Sequence, residues 1–182
     1  MFIQTETTPN PDAIKFIPGP AVAPGGSYDF RDAASAEKSP LAQRLFKLAG
    51  VNGVYLGGDF VSVTKGADDD WSTLKPRVLA AIMDHFLSGL PAVDAAAAPV
   101  GAQEEDSDIV RQIRDILDER VRPAVAMDGG DIVFDRFEDG IVYLHMRGAC
   151  AGCPSSTATL KSGIENMLRH FIPEVQEVRP AL

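Results

Sequence analysis

The chain has 182 residues, of which 45% are hydrophobic and 24% charged, with a formal net charge of −9 at pH 7. That is the composition of an ordinary globular protein, long enough for one medium domain or two small ones. Residues 1–100 carry 8 basic and 11 acidic side chains and residues 101–182 carry 9 and 15. Both halves are therefore acidic, which excludes a surface built to track nucleic-acid phosphates or anionic lipid. With only two cysteines, a disulfide-built fold is excluded as well.

In chain order, Phe2 to Thr7 alternates and is rich in β-branched residues, so a strand is expected there. Pro9 and Pro11 bracket a turn, and Ala13 to Ile17 makes a second strand before the Pro18-Gly19-Pro20 breaker. Ser39-Pro40 opens a helix, Ser39 as N-cap and Pro40 at the first position, with Leu41, Leu45, Phe46 and Leu48 near one face and Gly50 as its stop. Val54-Tyr55-Leu56 and Phe60 to Thr64 flank Gly57-Gly58-Asp59, a hairpin signal. After Asp68-Asp69-Asp70, the positions Trp71, Leu74, Val78, Ile82 and Phe86 keep helical spacing. The expected order is ββαββα.

From Ser88 to about residue 105 the chain turns to Pro, Gly and small residues without periodicity, as a linker does. If flexible, it would give a mean reach of roughly 20–25 Å. Beyond it, Ile109, Ile113, Ile116, Leu117 and Val121 form a helical stripe, with Ser107 as N-cap and Pro123 as terminator. Ile132 to Phe137 and Ile141 to Met146 make an antiparallel pair through Glu138-Asp139-Gly140. A loop follows, then a helix with Leu160, Ile164, Met167, Leu168 and Phe171 on its buried face, and a last strand near Val175 to Val178. The fold class is α+β: a domain over 1–87, a linker over 88–105 and an αββα(β) domain over 106–182. No apolar run is long enough for a membrane span. The N-terminal stretch lacks the pattern of a secretory signal or transit peptide. A bacterial cytoplasm is the expected location, and a mitochondrial matrix is also compatible.

The chemistry concentrates in Gly148-Ala149-Cys150-Ala151-Gly152-Cys153-Pro154-Ser155-Ser156. A C-x-x-C spacing lets two sulfurs converge on one metal centre or on each other. Gly148 and Gly152 permit tight turns that bring backbone N–H groups toward whatever the sulfurs hold. Pro154 and the two serines open the following helix, so Cys153 is expected at the positive end of a helix dipole, where thiolate is favoured. Three readings fit these residues: a metal or cluster site, a redox-active dithiol, and a pair of small buried hydrophobes. A metal site meets a shortage, since zinc sites and iron–sulfur clusters ordinarily take four protein ligands and this chain offers two thiols. His145, five residues before Cys150, reads as an ordinary strand residue, and His85 and His170 as ordinary helix residues. Two chains each contributing Cys150 and Cys153 across a two-fold axis would complete the set. Such a shared site exchanges ligands more readily than an enclosed one, which favours a carrier. No Walker loop, GxGxxG or Ser/His/Asp set is present, so no enzyme activity is expected.

This loop, with Thr159-Leu160-Lys161 and Gly163-Ile164-Glu165 and, upstream, Arg122-Pro123 and Met127-Asp128-Gly129-Gly130-Asp131, resembles the NifU C-terminal domain. The opening residues, with Thr8-Pro9-Asn10-Pro11 and Lys15-Phe16, then Asp29-Phe30, Ser39-Pro40-Leu41 and Asp59-Phe60, resemble the Nfu N-terminal domain. Met127 departs from the polar residues common at that point in the family. The resemblance implies an iron–sulfur cluster scaffold and carrier, with Cys150 and Cys153 as ligands to a 4Fe–4S cluster bridging a homodimer. It also implies receipt from upstream assembly proteins and delivery to apo iron–sulfur proteins. A 2Fe–2S cluster, or structural zinc in a bridged dimer, would use the same ligands, and dithiol–disulfide exchange is the enzymatic alternative. The Asp128-Gly129-Gly130-Asp131 run reads as a tight turn needing positive φ or as part of the cluster surroundings.

Overall fold

The computed structural model describes residues 1–97, 107–153 and 156–181. The N-terminal unit is a five-stranded antiparallel sheet in the order β1-β2-β5-β4-β3, with two helices on one face. Its strands are β1 (Gln4–Thr7), β2 (Ala13–Ile17), β3 (Tyr28–Phe30), β4 (Val51–Leu56) and β5 (Val61–Lys65). Helices α1 (Pro40–Phe46) and α2 (Trp71–Leu87) complete it. Alternation decides which face is dry: Ile14, Phe16, Val61 and Val63 point into the helix-covered core. Ser39 caps α1 by accepting from Ala42 N–H at 3.0 Å, and Asp70 caps α2 by accepting from Ser72 N–H at 2.8 Å. The order gains one strand over the sequence expectation. Tyr28–Phe30 follows a Pro/Gly-rich stretch and is held by pairing with Val54–Leu56, a signal that no local pattern carries.

The first part of the expected linker is anchored. Ala92 is buried in the N-terminal core, the Ser39 hydroxyl donates to its carbonyl at 2.6 Å, and Asp94 N–H donates to Lys38 carbonyl at 2.8 Å. The remainder of the expected linker lies largely outside the described residues.

The C-terminal unit starts at α3 (Asp108–Ile116), capped by Ser107, which accepts from Val110 N–H at 3.4 Å. Pro123 does not terminate it. A π-turn over Leu117–Val121 leads directly into α4 (Arg122–Met127), with Pro123 in the first turn of α4. In a regular helix the proline ring would press on the Glu119 carbonyl; the wider turn relieves that clash. Then come β6 (Gly130–Glu138), β7 (Ile141–Gly148), α5 (Ser156–Phe171) and β8 (Glu177–Pro180). The sheet order is β6-β7-β8, with β7 and β8 parallel. On α5, Ile164 and Leu168 are buried and Leu160 and Met167 half-buried. Phe171 is 46% exposed, beneath the Arg120 guanidinium, and Ile172 takes the buried place the spacing assigned to it. Among the described residues no helix is long and apolar enough to cross a membrane.

Candidate metal centre

Strand register brings the two glycine-rich segments together. Gly130 at the start of β6 pairs with Gly148 at the end of β7, and Asp131 with Arg147. The chain then turns tightly: Ala149 N–H donates to Gly129 carbonyl at 3.2 Å and Ala151 N–H to Gly148 carbonyl at 3.1 Å. Cys150 and Cys153 follow in this loop, 6% and 1% exposed. Thr157 in the first turn of α5 donates its hydroxyl to Cys153 carbonyl at 2.9 Å, tying loop to helix. Pro154 and Ser155 lie outside the described residues, as does the side chain of Ser156.

The glycines have separate causes. Gly148 (φ +59°) needs the left-handed region, and a Cβ there would stand 2.7 Å from Gly129 carbonyl and 3.1 Å from the Tyr55 ring. Gly152 (φ +73°) has open space around it, so only its backbone conformation calls for glycine. Gly130 lies in the Asp128-Gly129-Gly130-Asp131 run, which the sequence leaves open as a turn or as part of the cluster surroundings. A Cβ on it would collide with the Cys150 sulfur and stand 2.9 Å from Cys150 N, so its bareness makes the seat for the thiol. The paired glycines in the sequence were the available signal, and only the β6–β7 register shows which thiol they accommodate. Gly129 (φ +78°) makes the turn itself.

A charged clamp fixes this turn. Arg122 grips Asp131 with both ends of its guanidinium, Nε to Oδ1 and Nη2 to Oδ2 at 2.8 Å each, and reaches Asp118 at 2.9 Å. Asp131 is buried and also accepts from Ile132 N–H at 2.8 Å. These bonds hold the Arg122 pKa above its ordinary value, and burial together with the Asp131 carboxylate raises that of the Tyr55 phenol. The Cys150 thiol is pushed up to about 12, first by burial and then by Asp128, Asp131 and Cys153. In this conformation desolvation and the nearby carboxylates favour the neutral thiol at Cys150; the thiolate expectation from the helix dipole concerned Cys153.

Beside the thiols, a cleft of about 470 Å³ opens between α4 and α5, lined by Val121, Val125, Leu160, Ile164, Met167 and Cys150. The histidines stand apart from the cysteines. His145 pairs with Asp135 at 2.9 Å, His170 stacks edge-on against Phe171, and His85 is buried in the other unit. Among the described residues, no group of three or more His, Cys, Asp or Glu side chains is placed to hold a metal ion. Two thiols are what this chain brings.

Comparison with known proteins matches residues 3–89 to the family model described as scaffold protein Nfu/NifU N terminal, and residues 113–179 to the NifU-like domain. The protein named NFU1 iron-sulfur cluster scaffold homolog, mitochondrial, from Homo sapiens is 49% identical over 184 residues, covering 100% of this chain and 72% of that protein. The chain belongs to the Nfu/NifU family. The NFU1 homolog of Drosophila erecta is 50% identical over 181 residues, 98% of this chain, and the chain spans 64% of that relative's length. A solved NifU-like protein from Saccharomyces cerevisiae aligns with a TM-score of 0.48 at 24% identity, covering 52% of this chain and 86% of that one. Both NFU1 relatives are named as mitochondrial, the second of the two locations compatible with the sequence; nothing in the comparisons supports the cytoplasmic one.

Proposed function

We propose that this Nfu/NifU chain is an iron–sulfur cluster scaffold and carrier, in which Cys150 and Cys153 of two chains together hold one 4Fe–4S cluster and release it to apo iron–sulfur proteins. The observation that carries the reading is the donor set: two thiols three residues apart on one loop, with no third metal-binding side chain grouped with them among the described residues. Four thiolates from two chains meet the ordinary requirement of a cluster. The NFU1 names of the relatives support the scaffold role. The cluster is cargo, so the chain's own contribution is to present two sulfurs and the loop's N–H groups and to let them go; no bond of a substrate is made or broken by a catalytic residue.

Anaerobic reconstitution followed by native mass spectrometry tests this. The expected species is a dimer carrying four irons and four sulfides, absent in Cys150→Ser and Cys153→Ser. A full cluster on a monomer, or wild-type protein that takes up zinc and no cluster, overturns it. The dithiol alternative predicts turnover with a model disulfide. Burial of Cys150, with its raised pKa, works against Cys150 as the attacking thiolate.

A further inference from the structure

The outer face of the N-terminal sheet is polar where alternation turns it away from the core, at Lys15 on β2 and Ser62 on β5, yet both residues are buried, 9% and 1% exposed. What buries them is the C-terminal unit. The Lys15 ammonium donates to the carbonyls of Ala126 and Met127 at 3.1 and 3.3 Å, capping the end of α4, and Ser62 Oγ donates to Gly129 carbonyl. Ser27 donates to Asp131 at 3.2 Å, and Arg147 donates to Asp29 at 3.0 Å. At the centre, Asn10 Nδ2 donates to Ala151 carbonyl at 3.3 Å and the Cys153 thiol to Pro9 carbonyl at 3.4 Å. All but one of these contacts fall on the end of α4, the Gly129–Asp131 turn or the thiol loop, the segments that surround Cys150 and Cys153; the exception, Arg147, sits at the end of β7 just before that loop.

We infer that the N-terminal unit is an autoinhibitory cap: its sheet face and the Pro9-Asn10 turn recognise the chain's own thiol loop and cover it, and the cap must lift before a second chain can reach the sulfurs. Steric exclusion carries the point. Pro9 stands within a hydrogen bond of Cys153, which is buried, so among the described residues the Pro9-Asn10 turn occupies the place a second chain's loop and a cluster would need at that sulfur. The contacts suit a reversible cover, being hydrogen bonds from polar side chains to backbone carbonyls and carboxylates, all of which water can replace on opening. The consequence for cluster handling rests on the carrier reading; the capping itself does not.

The test is thiol alkylation of the reduced, metal-free 182-residue chain by iodoacetamide, with each cysteine quantified by peptide mass mapping and the urea-unfolded chain setting the upper rate. Ser62→Trp places a wedge against Gly129, and Lys15→Met removes the ammonium that caps α4. We expect wild-type Cys153 to react at least 100-fold below the unfolded rate, at least tenfold faster in Ser62→Trp and at least threefold faster in Lys15→Met. A wild-type rate within threefold of the unfolded one overturns the cap, as do unchanged rates in the folded variants. If Ser62→Trp fails to fold, the Lys15→Met rate decides alone. Because the readout needs no cluster, failure of cluster bridging leaves this result standing, and failure of the cap leaves the bridging result standing.

Discussion

Arg122→Met offers the sharpest measure of what holds the thiol loop in place. The substitution keeps most of the side-chain volume but deletes three charge-assisted hydrogen bonds, two to Asp131 and one to Asp118. The bond to Asp118 is a surface i, i+4 pair contributing only about 0.3–0.5 kcal/mol. The two to Asp131 matter more, since its side chain is 4% exposed and would be left with Ser27 and its neighbouring N–H as partners. Breaking a buried pair from one side costs about 3–5 kcal/mol. The Arg122 side chain is 35% exposed, so water can reach part of the site and the expected loss is nearer 2–3 kcal/mol. Urea unfolding measures it: Trp71, the single tryptophan, reports the N-terminal unit, while far-ultraviolet dichroism reports both. The expected signature is a lowered midpoint in the dichroism with a smaller change in the Trp71 transition. Arg122→Lys, which keeps the charge and loses the fork, is expected to recover about half the loss. A destabilisation under 1 kcal/mol for Arg122→Met would show that the clamp does not organise this turn.

Gly130→Ala places a methyl group where the Cys150 sulfur sits, so cluster occupancy after anaerobic reconstitution is expected to fall at least fivefold with the helical dichroism retained; wild-type iron content would refute it. Leu168→Ala deletes a fully buried side chain at the centre of the C-terminal core and should cost about 2–5 kcal/mol in the same urea assay, without changing the Trp71 transition. His85 is completely buried, and burial, then Arg44, lowers its pKa, with the Pro91 and Leu90 backbone acting in the opposite direction. The unfolded chain takes up this proton near pH 6.5 and the folded one only lower, so its contribution to stability is full above about pH 6.5 and declines as the pH falls below it. The Trp71-reported midpoint should therefore drop between pH 7 and pH 5 more steeply in wild type than in His85→Leu; parallel pH profiles would refute this.

The parts of the fold that could be read from the chain are those fixed by neighbours in sequence. Ser39-Pro40 and Ser107 announced helix starts because an N-cap acts within three residues, and Ala13–Ile17 was legible as a short, mostly apolar run closed by the Pro18-Gly19-Pro20 breaker. Residues whose roles depend on distant partners were illegible. Three residues of β3 carry no pattern of their own, Ala92 lies in a stretch that reads as tether yet packs into the core, and Pro123 ends a helix only if no π-turn precedes it. At the site, the thiols and their glycines were visible as a motif. The seat that Gly130 makes for Cys150 was not, because it depends on how β6 registers against β7.

The shortage of ligands and the cap explain each other. If two chains share one cluster as proposed, each alone carries half a site, and exposed thiols are the ones open to stray metal and oxidation. Covering it with an apolar interface would shut it permanently, since each buried CH₂ group adds about 0.8 kcal/mol to the closed state. The face actually used is largely polar, offering Lys15, Ser62, Ser27 and Asn10 beside the single Tyr55 ring, and those hydrogen bonds contribute only about 0.5–1.5 kcal/mol each over their bonds to water, with somewhat more from those to charged groups. The same polar residues that look out of place when buried are what a cover needs if it must come off, and their partners are carbonyls at the end of α4 and in the turns beside the thiols, together with the Asp131 carboxylate.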